Sequence, residues 1–412
     1  MSKVTSIPQL RFPEFSGEWK EKKLSDVAEI VGGGTPPTAV EKYWGGDIQW
    51  FTPTEIKNKY IVNSKRTITQ VGLDTSSARL LPKGTLLFSS RATVGEIGIA
   101  VQECTTNQGF QSFIVNKDND SEFLYNWIIK NKKEFIRRAS GSTFLEIGKS
   151  EIKKIKSNIP LLSEQQKIAA FLTAVDSKIE QLSKKQELLG EYKKGLMEQI
   201  FSQAIRFKAN DGSDFPDWEE KKLGDLSVVI SDGNYGELYP TSSDFKLTGV
   251  PFLRANNIKS LKIDGTDTKY ITEEQHSLLT SGHLQTNDIL ITTRGVLGNL
   301  AIVESTHNGS NINAQICLLR VTNTSELNHF YLLFVLDHRD SKKQYKAFET
   351  GTALKQLPKG NLRKIKLKLP TLFEQNKIAN FLSSIDTKIE QVGKQLRESK
   401  QFKKALLQQM FV

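Results

Sequence analysis

A block of 44 residues occurs twice in this chain, at 159–202 and at 369–412, without a gap and with a constant offset of 210. The first copy begins IPLLSEQQKIAAFL and the second begins LPTLFEQNKIANFL. Each copy follows a longer stretch of mixed composition. A chain that repeats one segment in this way is expected to fold into two similar halves. The length of 412 residues gives each half enough chain to bury its own core.

Within each block the apolar residues alternate at spacings of four and three, which predicts a heptad seam on one face of a long α-helix. The seam residues are Ile168, Leu172, Val175, Ile179, Leu182, Leu189, Leu196 and Ile200 in the first copy, and Ile378, Leu382, Ile385, Ile389, Val392, Leu396, Leu406 and Met410 in the second. Gln186 and Lys193 interrupt the first seam, and Ser399 and Lys403 interrupt the second. About 40 helical residues would extend about 60 Å.

A seam of this length needs a partner helix, and the other copy is the obvious candidate because the two seams match in length and in the position of their interruptions. The alternative is that each helix packs independently on its own globular stretch. Pairing of the two copies is the interpretation that we adopt.

The globular stretches also repeat. LRFPEFSGEWKEKKLSDV at 10–27 resembles IRFKANDGSDFPDWEEKKLGDL at 205–226, which aligns Trp19 with Trp218. GTLLFSSRATVGEIGIA at 84–100 resembles NDILITTRGVLGNLAIV at 287–303, which aligns Arg91 with Arg294. SGSTFLEIGKSEIKKIKSNIP at 140–160 resembles TGTALKQLPKGNLRKIKLKLP at 350–370. Short apolar and β-branched runs between glycines predict strands. We therefore expect one scaffold that carries two different surfaces.

The formal net charge of +11 is distributed unevenly. Residues 163–202 are neutral and residues 373–412 carry +3, so a charge of +8 remains for the rest of the chain. Excess lysine on a folded domain attracts polyanions such as nucleic acid, although it also serves solubility. No apolar run reaches the ~18 residues of a membrane helix, and the N-terminal segment has no secretory core. We expect a cytoplasmic protein.

The residue patterns of catalysis and metal binding do not occur. Cys104 and Cys317 are far apart, which favours buried, inert thiols. The histidines all lie in the second half without zinc-ligand spacing. Residues 141–150 superficially resemble a phosphate-binding loop, but they place six residues between the glycines where that motif has four. The acidic segment at 215–221 is too compact to form a nuclease metal site. We expect no catalytic residue, no metal ligand and no cofactor in this chain.

The combination of motifs resembles the specificity (S) subunit of type I restriction-modification systems. The resemblance rests on the opening PQLRFPEF and its counterpart FPDWEEKKLGDL, on GGGTPPT with YWGGDIQWFTPTEI at 32–56, and on the two helical blocks with their EQ and KIA residues. The stretch from ISDGNYGELYP to GVPFLRANNI at 230–258 resembles a second type of recognition domain. The resemblance covers essentially the whole chain.

This resemblance implies an α+β fold with an internal pseudo-two-fold repeat. Two α/β target recognition domains would each be followed by a conserved long helix, and the two helices would pair as an antiparallel coiled coil. The implied division is recognition domain 1 at 1–158, a central helical region at 159–204, recognition domain 2 at 205–368 and a C-terminal helical region at 369–412.

The resemblance also implies a non-catalytic subunit that reads a split, asymmetric target in double-stranded DNA. The subunit would bind two methyltransferase (M) subunits and, through them, restriction (R) subunits. S-adenosylmethionine would then belong to the M subunits, which methylate adenine, and ATP and Mg²⁺ to the R subunits. Two different recognition surfaces on a symmetric scaffold suit a target with two unequal halves.

Candidate DNA contacts are polar side chains near the ends of corresponding predicted strands. In the first half they are Thr52, Thr54, Lys57, Ser90, Arg91, Thr93, Asn107, Gln108, Ser142, Thr143 and Lys149; in the second they are Arg254, Asn256, Asn257, Lys259, Thr293, Arg294, Asn313, Gln315, Thr352, Lys355 and Lys359. Arginine can hold guanine with two hydrogen bonds, asparagine and glutamine can hold adenine, and lysine more often holds phosphate.

Each candidate could instead be a solvated surface residue or the donor of a turn hydrogen bond. Arg91 and Arg294, which hold equivalent places, could also be structural or phosphate anchors. Two other functions stay open for the whole chain. A coiled-coil scaffold that binds only proteins would explain the helices but not the divergent domains. A self-sufficient methyltransferase or nuclease would need a cofactor site that the sequence does not display.

Overall fold

The structure is a computed structural model, and it describes residues 7–141, 144–233, 235, 239–352 and 354–412. Backbone contacts divide the chain into two compact units. Unit 1 comprises Met1–Lys184 and Gly393–Val412, and unit 2 comprises Lys185–Val392. Both limits between the units fall inside the repeated blocks, so each unit holds one globular module and a part of each block. The four-region division that the family resemblance implies stays a prediction.

The module of unit 1 alternates short strands with short helices. Its strands are β1 (Lys20–Lys23), β2 (Ala28–Gly32), β3 (Trp44–Phe51), β4 (Tyr60–Ile61), β5 (Arg66–Ile68), β6 (Leu86–Phe88), β7 (Ile97–Ala100), β8 (Cys104–Thr106), β9 (Gln111–Val115) and β10 (Lys156–Ile159), and its helices are α1 (Leu24–Val27), α2 (Gln70–Asp74), α3 (Ser121–Lys130), α4 (Lys132–Arg138) and α5 (Lys149–Lys154).

A long helix, α6 (Leu162–Phe201), follows the first module, and the second module follows α6. The strands of unit 2 are β11 (Glu219–Lys222), β12 (Val228–Asp232), β13 (Val250–Leu253), β14 (Ile258–Lys259), β15 (Lys262–Ile263), β16 (Lys269–Ile271), β17 (Ile289–Thr292), β18 (Leu300–Ile302), β19 (Asn311–Ile312), β20 (Ile316–Val321) and β21 (Lys366–Leu369), and its shorter helices are α7 (Glu273–Leu278), α8 (His329–Asp337), α9 (Arg339–Phe348) and α10 (Lys359–Leu362). The chain then forms α11 (Leu372–Gln409).

The two modules have similar sheets, although the main sheet of unit 1 has a fifth strand, β4, and unit 2 has an additional two-stranded sheet, β14-β15. The main sheet has the order β2-β9-β6-β7-β4 in unit 1 and β12-β20-β17-β18 in unit 2. A second sheet has the order β5-β3-β8 in unit 1 and β16-β13-β19 in unit 2. In each unit the central strand of this sheet is antiparallel to the first neighbour and parallel to the second. A two-stranded sheet, β1-β10 or β11-β21, joins the start of each module to its end. The weak sequence repeat therefore corresponds to a repeated fold.

Each module has a core of its own because the strands place apolar side chains toward the helices that cover the main sheet. In unit 1, Phe88 and Phe113 lie on neighbouring strands with ring centres 5.6 Å apart and pack beneath α3 and α4. In unit 2, Ile291 and Leu319 lie beneath α8, whose residues Tyr331–Leu336 are all buried. Full burial of one such side chain contributes roughly 1.5–3 kcal/mol.

The predicted long helices are present as α6 and α11. They begin at positions related by the 210-residue offset, and α11 ends two residues before the equivalent of the end of α6. Every predicted seam residue is buried or half-buried in its unit. In unit 1 the core contains Ile168 and Leu172 of α6 together with Leu406 of α11. In unit 2 the core contains Ile200 of α6 together with Ile378 of α11.

The lysines that interrupt the predicted seams make ion pairs with aspartates. In unit 1 the Lys403 ammonium lies 2.5 Å from the Asp176 carboxylate. In unit 2 the Lys193 ammonium donates to both Asp386 oxygens at 2.7 Å. Lys403 and Asp386 stand 210 residues after Lys193 and Asp176, so each pair joins the same two positions of the repeat. The interruptions therefore link α6 to α11 within each unit.

The EQ residues near the start of each block join the helix to its own module. In unit 1 the Glu164 carboxylate accepts hydrogen bonds from the Arg11 guanidinium at 2.7 Å and from Trp19 Nε1 at 3.2 Å. The neighbouring Gln165 accepts from the Asp120 backbone amide at 2.9 Å. Since a buried carboxylate is stable only when it is paired, the motif residues at 10–27 and 159–172 depend on each other.

Unit 2 repeats this arrangement with the equivalent residues. The Glu374 carboxylate accepts from the Arg206 guanidinium at 3.2 and 2.7 Å and from Trp218 Nε1 at 3.0 Å. Gln375 accepts from the Asn328 backbone amide at 2.9 Å. The two most recognisable parts of the sequence repeat are therefore in contact with each other in both units.

Candidate nucleic-acid interface

Four segments that carry predicted DNA contacts in unit 1 lie side by side. The Phe51 carbonyl accepts from the Asn107 amide at 3.0 Å, the Gly109 carbonyl accepts from the Ser90 amide at 2.9 Å, and the Ser90 carbonyl accepts from the Ile147 amide at 2.9 Å. These bonds connect residues 51–57, 90–93, 107–109 and 144–149 into one continuous surface, which we call polar edge 1. Strand ends that are distant in sequence are thus brought together.

Unit 2 builds an equivalent surface with the same hydrogen bonds. The Leu253 carbonyl accepts from the Asn313 amide at 2.9 Å, the Gln315 carbonyl accepts from the Thr293 amide at 2.8 Å, and the Thr293 carbonyl accepts from the Leu357 amide at 2.9 Å. Residues 253–259, 293–296, 313–315 and 354–359 form this surface, polar edge 2. The scaffold of the two edges is common, whereas their side chains differ.

Glycines at tight turns shape a hairpin at each edge. The residues at Gly141 and Gly351 have φ values of +130° and +86°, and a Cβ atom there would lie 2.2 and 2.4 Å from a backbone carbonyl oxygen. Only glycine fits such a turn. The hairpins place Glu146 beside Arg91 and Gln356 beside Arg294 through isolated backbone bridges. The sequence repeat at 140–160 and 350–370 therefore encodes the part of the fold that supports the two arginines.

Several predicted contacts of edge 1 are accessible. Arg91 is half-exposed, and its Nε atom lies 3.7 Å from a Glu146 oxygen. Gln108 is exposed and accepts from the Thr35 hydroxyl at 2.5 Å. The remaining exposed candidates of edge 1 are Thr54, Lys57, Thr93 and Lys149. These side chains supply positive charge as well as hydrogen-bond donors and acceptors. Ser142 and Thr143 lie outside the described residues.

Four of the candidate side chains are buried and bond within the chain. The Ser90 hydroxyl is inaccessible and donates to the Gly109 carbonyl at 3.2 Å. Asn257 donates to the Asp264 carbonyl at 2.8 Å. Thr293 and Asn313 are also buried and bond locally to residue 315. DNA contact by these side chains stays a prediction, and their burial favours a supporting role, because a polar residue at a strand end can satisfy its own turn instead of facing solvent.

Two further candidates of edge 1 have local roles while remaining partly accessible. The Thr52 amide and hydroxyl both donate to Glu55 at 2.7 Å, which caps the following turn. The Asn107 side chain accepts from the Gly109 amide at 2.9 Å and holds the loop closed. These bonds favour a supporting role for both residues, since their preferred partners lie within the chain.

The cations of edge 2 are mostly paired with carboxylates of the same unit. Arg254 contacts Asp267 at 2.6 Å, and Asn256 contacts the same carboxylate at 3.2 Å. Lys259 contacts Asp264 at 2.8 Å, and hydrogen bonds from Lys259 and Thr266 lower the pKa of that carboxyl group. Lys355 contacts Glu349 at 2.6 Å and Lys359 contacts Asp232 at 3.3 Å. Gln315 and Thr352 are exposed. Edge 2 therefore presents acceptors as well as donors.

Arg294 lies against Tyr235, an aromatic residue that is not among the predicted DNA contacts. Its Nη2 atom is 3.3 Å from the Tyr235 hydroxyl, and its guanidinium carbon is 5.1 Å from the centre of the ring. At edge 1 the guanidinium carbon of Arg91 is 5.9 Å from the ring centre of Phe144, which is exposed. Each arginine is thus held next to an aromatic ring. An aromatic residue inside a glycine-rich or hairpin segment is the signal that could have identified both rings.

The described residues contain no group of three or more histidine, cysteine or acidic side chains that could hold a metal ion. Both cysteines are buried and unpaired, and burial raises the pKa of the Cys104 thiol to about 12. The prediction of buried thiols is confirmed. Among the helices described, none is long and apolar enough to cross a membrane.

Comparison with known proteins gives one consistent family. The family model of the type I restriction modification DNA specificity domain matches residues 16–189 and 216–398. The MjaIX specificity subunit of a type I restriction enzyme from Methanocaldococcus jannaschii is 38% identical over 61% of this chain and 60% of its own length. The putative MjaX specificity subunit from the same organism is 26% identical over 98% of this chain and 95% of its own length.

Solved structures show the same fold at low sequence identity. The S subunit of a type I restriction-modification system from M. genitalium has a TM-score of 0.64 and 18% identity, with 98% of this chain and 99% of that chain covered. A chain from a structural study of complex assembly and conformational transition in a type I R-M system has a TM-score of 0.55 and 17% identity. The match covers 96% of this chain and 97% of that chain. The family model matches the chain twice, once over each of the two modules.

Proposed function

This chain belongs to the family of type I restriction modification DNA specificity domains, and we propose that it selects the DNA sequence on which a type I restriction-modification complex acts. It is a specificity subunit by family, and its proposed role is recognition without catalysis. The observation that supports recognition most strongly is the pair of polar edges, which have the same backbone construction and different exposed side chains.

We propose that each polar edge reads one half of a split, asymmetric DNA target. Edge 1 offers Arg91 and Gln108 as accessible groups for base edges or phosphates, and edge 2 offers Arg294 and Gln315. The Asp267 carboxylate, which contacts Arg254 of edge 2, can accept a hydrogen bond from a cytosine amino group. Because the two sets differ, the two half-sites are expected to differ in sequence.

The helices α6 and α11 are proposed to pair as an antiparallel coiled coil along their length. Two contacts support this proposal. In unit 1 the ion pair joins Asp176 of α6 to Lys403 of α11, and in unit 2 it joins Lys193 of α6 to Asp386 of α11. A charged pair at a seam position specifies register and orientation, since any other alignment would leave a charge unpaired. Such a pair of helices would determine the number of unread bases between the half-sites.

The proposed partners follow from the family. Two methyltransferase (M) subunits would bind this chain and use S-adenosylmethionine to methylate adenine in each half-site. Restriction (R) subunits, with ATP and Mg²⁺, would join through the M subunits. This chain would supply the DNA contacts of the complex and none of these cofactor sites.

Modified-base sequencing tests this function. DNA from cells that carry this chain with its methyltransferase is compared with DNA from cells that lack only this chain. We expect N6-methyladenine at one split, asymmetric motif, and we expect the whole motif to lose its modification when the chain is absent. A set of methylated motifs that does not change on deletion, in cells with an active methyltransferase, would contradict the proposal and favour a role as a scaffold.

A further inference from the structure

Lys59 connects the module of unit 1 to the side of helix α6. It lies in the loop that precedes β4, and its ammonium group is 2.6 Å from a Glu122 oxygen of α3. The same group is 3.2 Å from the Asp176 carboxylate and 3.2 Å from the Thr173 hydroxyl, both on α6. Only 12% of the Lys59 side chain is exposed. A lysine from the loop before β4 therefore reaches a largely enclosed site on the helix.

The surroundings of Lys59 maintain its positive charge. Burial alone would lower the pKa of the ammonium group, but the hydrogen bond to Glu122 and the charges of Glu122 and Asp176 outweigh it and raise the pKa above its ordinary value. The ammonium nitrogen is also 5.3 Å from the centre of the Tyr60 ring and 5.4 Å from that of Tyr125. A charged, multiply bonded lysine holds its position more firmly than an exposed one, whose ion pair is screened and costs side-chain entropy.

Asp176 belongs to two ion pairs at once. One of its oxygens faces Lys59 of the module, and the other lies 2.5 Å from Lys403 of α11. A single carboxylate thus joins the module, α6 and α11 within unit 1. Movement of the module along α6 would have to break this junction.

Unit 2 connects its module to its long helix differently. The equivalent aspartate, Asp386, receives both hydrogen bonds from Lys193 of α6. The module of unit 2 reaches α11 through Lys262, whose ammonium lies 2.8 Å from Glu390, and these side chains are 47% and 59% exposed. An exposed pair of this kind contributes little to positioning. Both units therefore share the buried arginine–glutamate pair at the start of the helix, whereas the second charged contact, farther along the helix, is enclosed in unit 1 and exposed in unit 2.

We propose that Lys59 and Asp176 are positioning residues that hold recognition module 1 at one place on α6, and that they thereby restrict the number of unread bases the complex accepts between its half-sites. This inference rests on the proposed function. One additional base pair moves a half-site by about 3.4 Å along the DNA and turns it by about 34°. A module that is free to shift on its helix could follow part of that movement, whereas an anchored module could not.

The experiment compares Asp176→Asn with its counterpart Asp386→Asn, each in the full chain and in the assembled methyltransferase complex. Both substitutions remove an ion pair between α6 and α11, but only Asp176→Asn also removes the ion pair between Lys59 and α6, which leaves the Thr173 hydroxyl as a neutral partner. The substrates are DNA duplexes with the natural motif and spacers that are one base pair shorter, unchanged or one base pair longer. The measured quantity is the methylation rate at an altered spacer relative to that at the natural spacer.

We expect Asp176→Asn to raise this ratio about tenfold, the change that corresponds to about 1.4 kcal/mol of lost restraint, while Asp386→Asn, which disturbs only the helix pairing that both substitutions affect, raises it by a clearly smaller factor. The bases recognised in each half-site should stay the same. Lys59→Met should reproduce the effect of Asp176→Asn, and Lys59→Arg, which keeps the charge, should largely restore the wild-type ratio. A purely stabilising role would lower the rate on all spacers equally and would not respond to the spacer.

Equal ratios for Asp176→Asn and Asp386→Asn, in complexes that methylate the natural site, would overturn the inference. So would a Lys59→Met complex that folds and keeps the wild-type ratio. Failure of the proposed function itself would look different, because the wild-type complex would then methylate no split motif at any spacer length.

Discussion

Arg206→Met is expected to lower the free energy of unfolding of unit 2 by about 3–5 kcal/mol, the cost of leaving a buried charge without its partner. Glu374 has an exposed fraction of 0%, and its two oxygens accept hydrogen bonds from Arg206 and Trp218. Methionine fills much of the space of arginine but donates nothing, so Trp218 alone would face the carboxylate. The change should loosen the contact between the start of the module and the start of α11.

Native-state amide hydrogen exchange measures the loss of stability in the full chain. It distinguishes local unfolding of unit 2 from local unfolding of unit 1 because each backbone amide reports on its own surroundings. Exchange should accelerate in β11, β21 and the first turns of α11. Lys366→Met is the control, since the ion pair of Lys366 with Glu220 is more than half exposed and is expected to contribute less than about 1 kcal/mol. An Arg206→Met variant whose unit 2 exchanges like the wild type would refute the structural role assigned to the buried triad.

Arg294→Ala is expected to weaken binding of the assembled methyltransferase complex to its DNA target by about 10- to 100-fold, the usual effect of losing one arginine contact. The arginine is partly exposed on polar edge 2, where the backbone bridge to Gln356 and the ring of Tyr235 orient it. Fluorescence anisotropy at several salt concentrations distinguishes its two potential roles. Loss of a phosphate contact reduces the salt slope by about one, whereas loss of a base contact relaxes specificity at one position.

Lys208→Ala provides the control for Arg294→Ala. Lys208 is exposed, pairs with Asp214 at 2.7 Å and lies outside polar edge 2. Its removal takes away the same charge and should change affinity less than threefold, in line with the small effect of an exposed ion pair. Unchanged affinity and an unchanged salt slope for Arg294→Ala would remove this arginine from the interface. Arg91→Ala tests the equivalent position of edge 1 in the same assay.

The sequence predicted the repeated architecture because duplication leaves matching periodicity in both copies. The long helices were identified by their apolar spacing alone, and their seam residues are buried or half-buried in the structure. The same spacing did not reveal the role of Lys193 and Lys403. In the sequence, the two lysines only interrupt the apolar seam, because the aspartates that pair with them belong to the other copy of the block. Contacts between segments so far apart cannot be seen in local periodicity.

The polar edges were predicted as sets of residues rather than as surfaces. Matching strand ends identified Arg91 and Arg294, and the structure brings the neighbouring candidate segments next to them. Individual side chains were harder to predict, because the direction of a side chain at a strand end depends on which carbonyl lies nearby. Ser90 turns inward to the Gly109 carbonyl for this reason. Pairing of Arg254 with Asp267 likewise depends on a loop that the sequence does not fix.

Two separate edges of this chain are proposed to read two halves of one DNA target. The most direct measurement is methylation of a randomised DNA library by purified complexes that carry substitutions in one edge only, with the motif read by modified-base sequencing. One complex carries Arg91→Ala and Gln108→Ala, and the other carries Arg294→Ala and Gln315→Ala. We expect each complex to lose sequence preference in a different half of the motif while it keeps the other half. Loss of preference in both halves, or in neither, would contradict the assignment of one half-site to each edge.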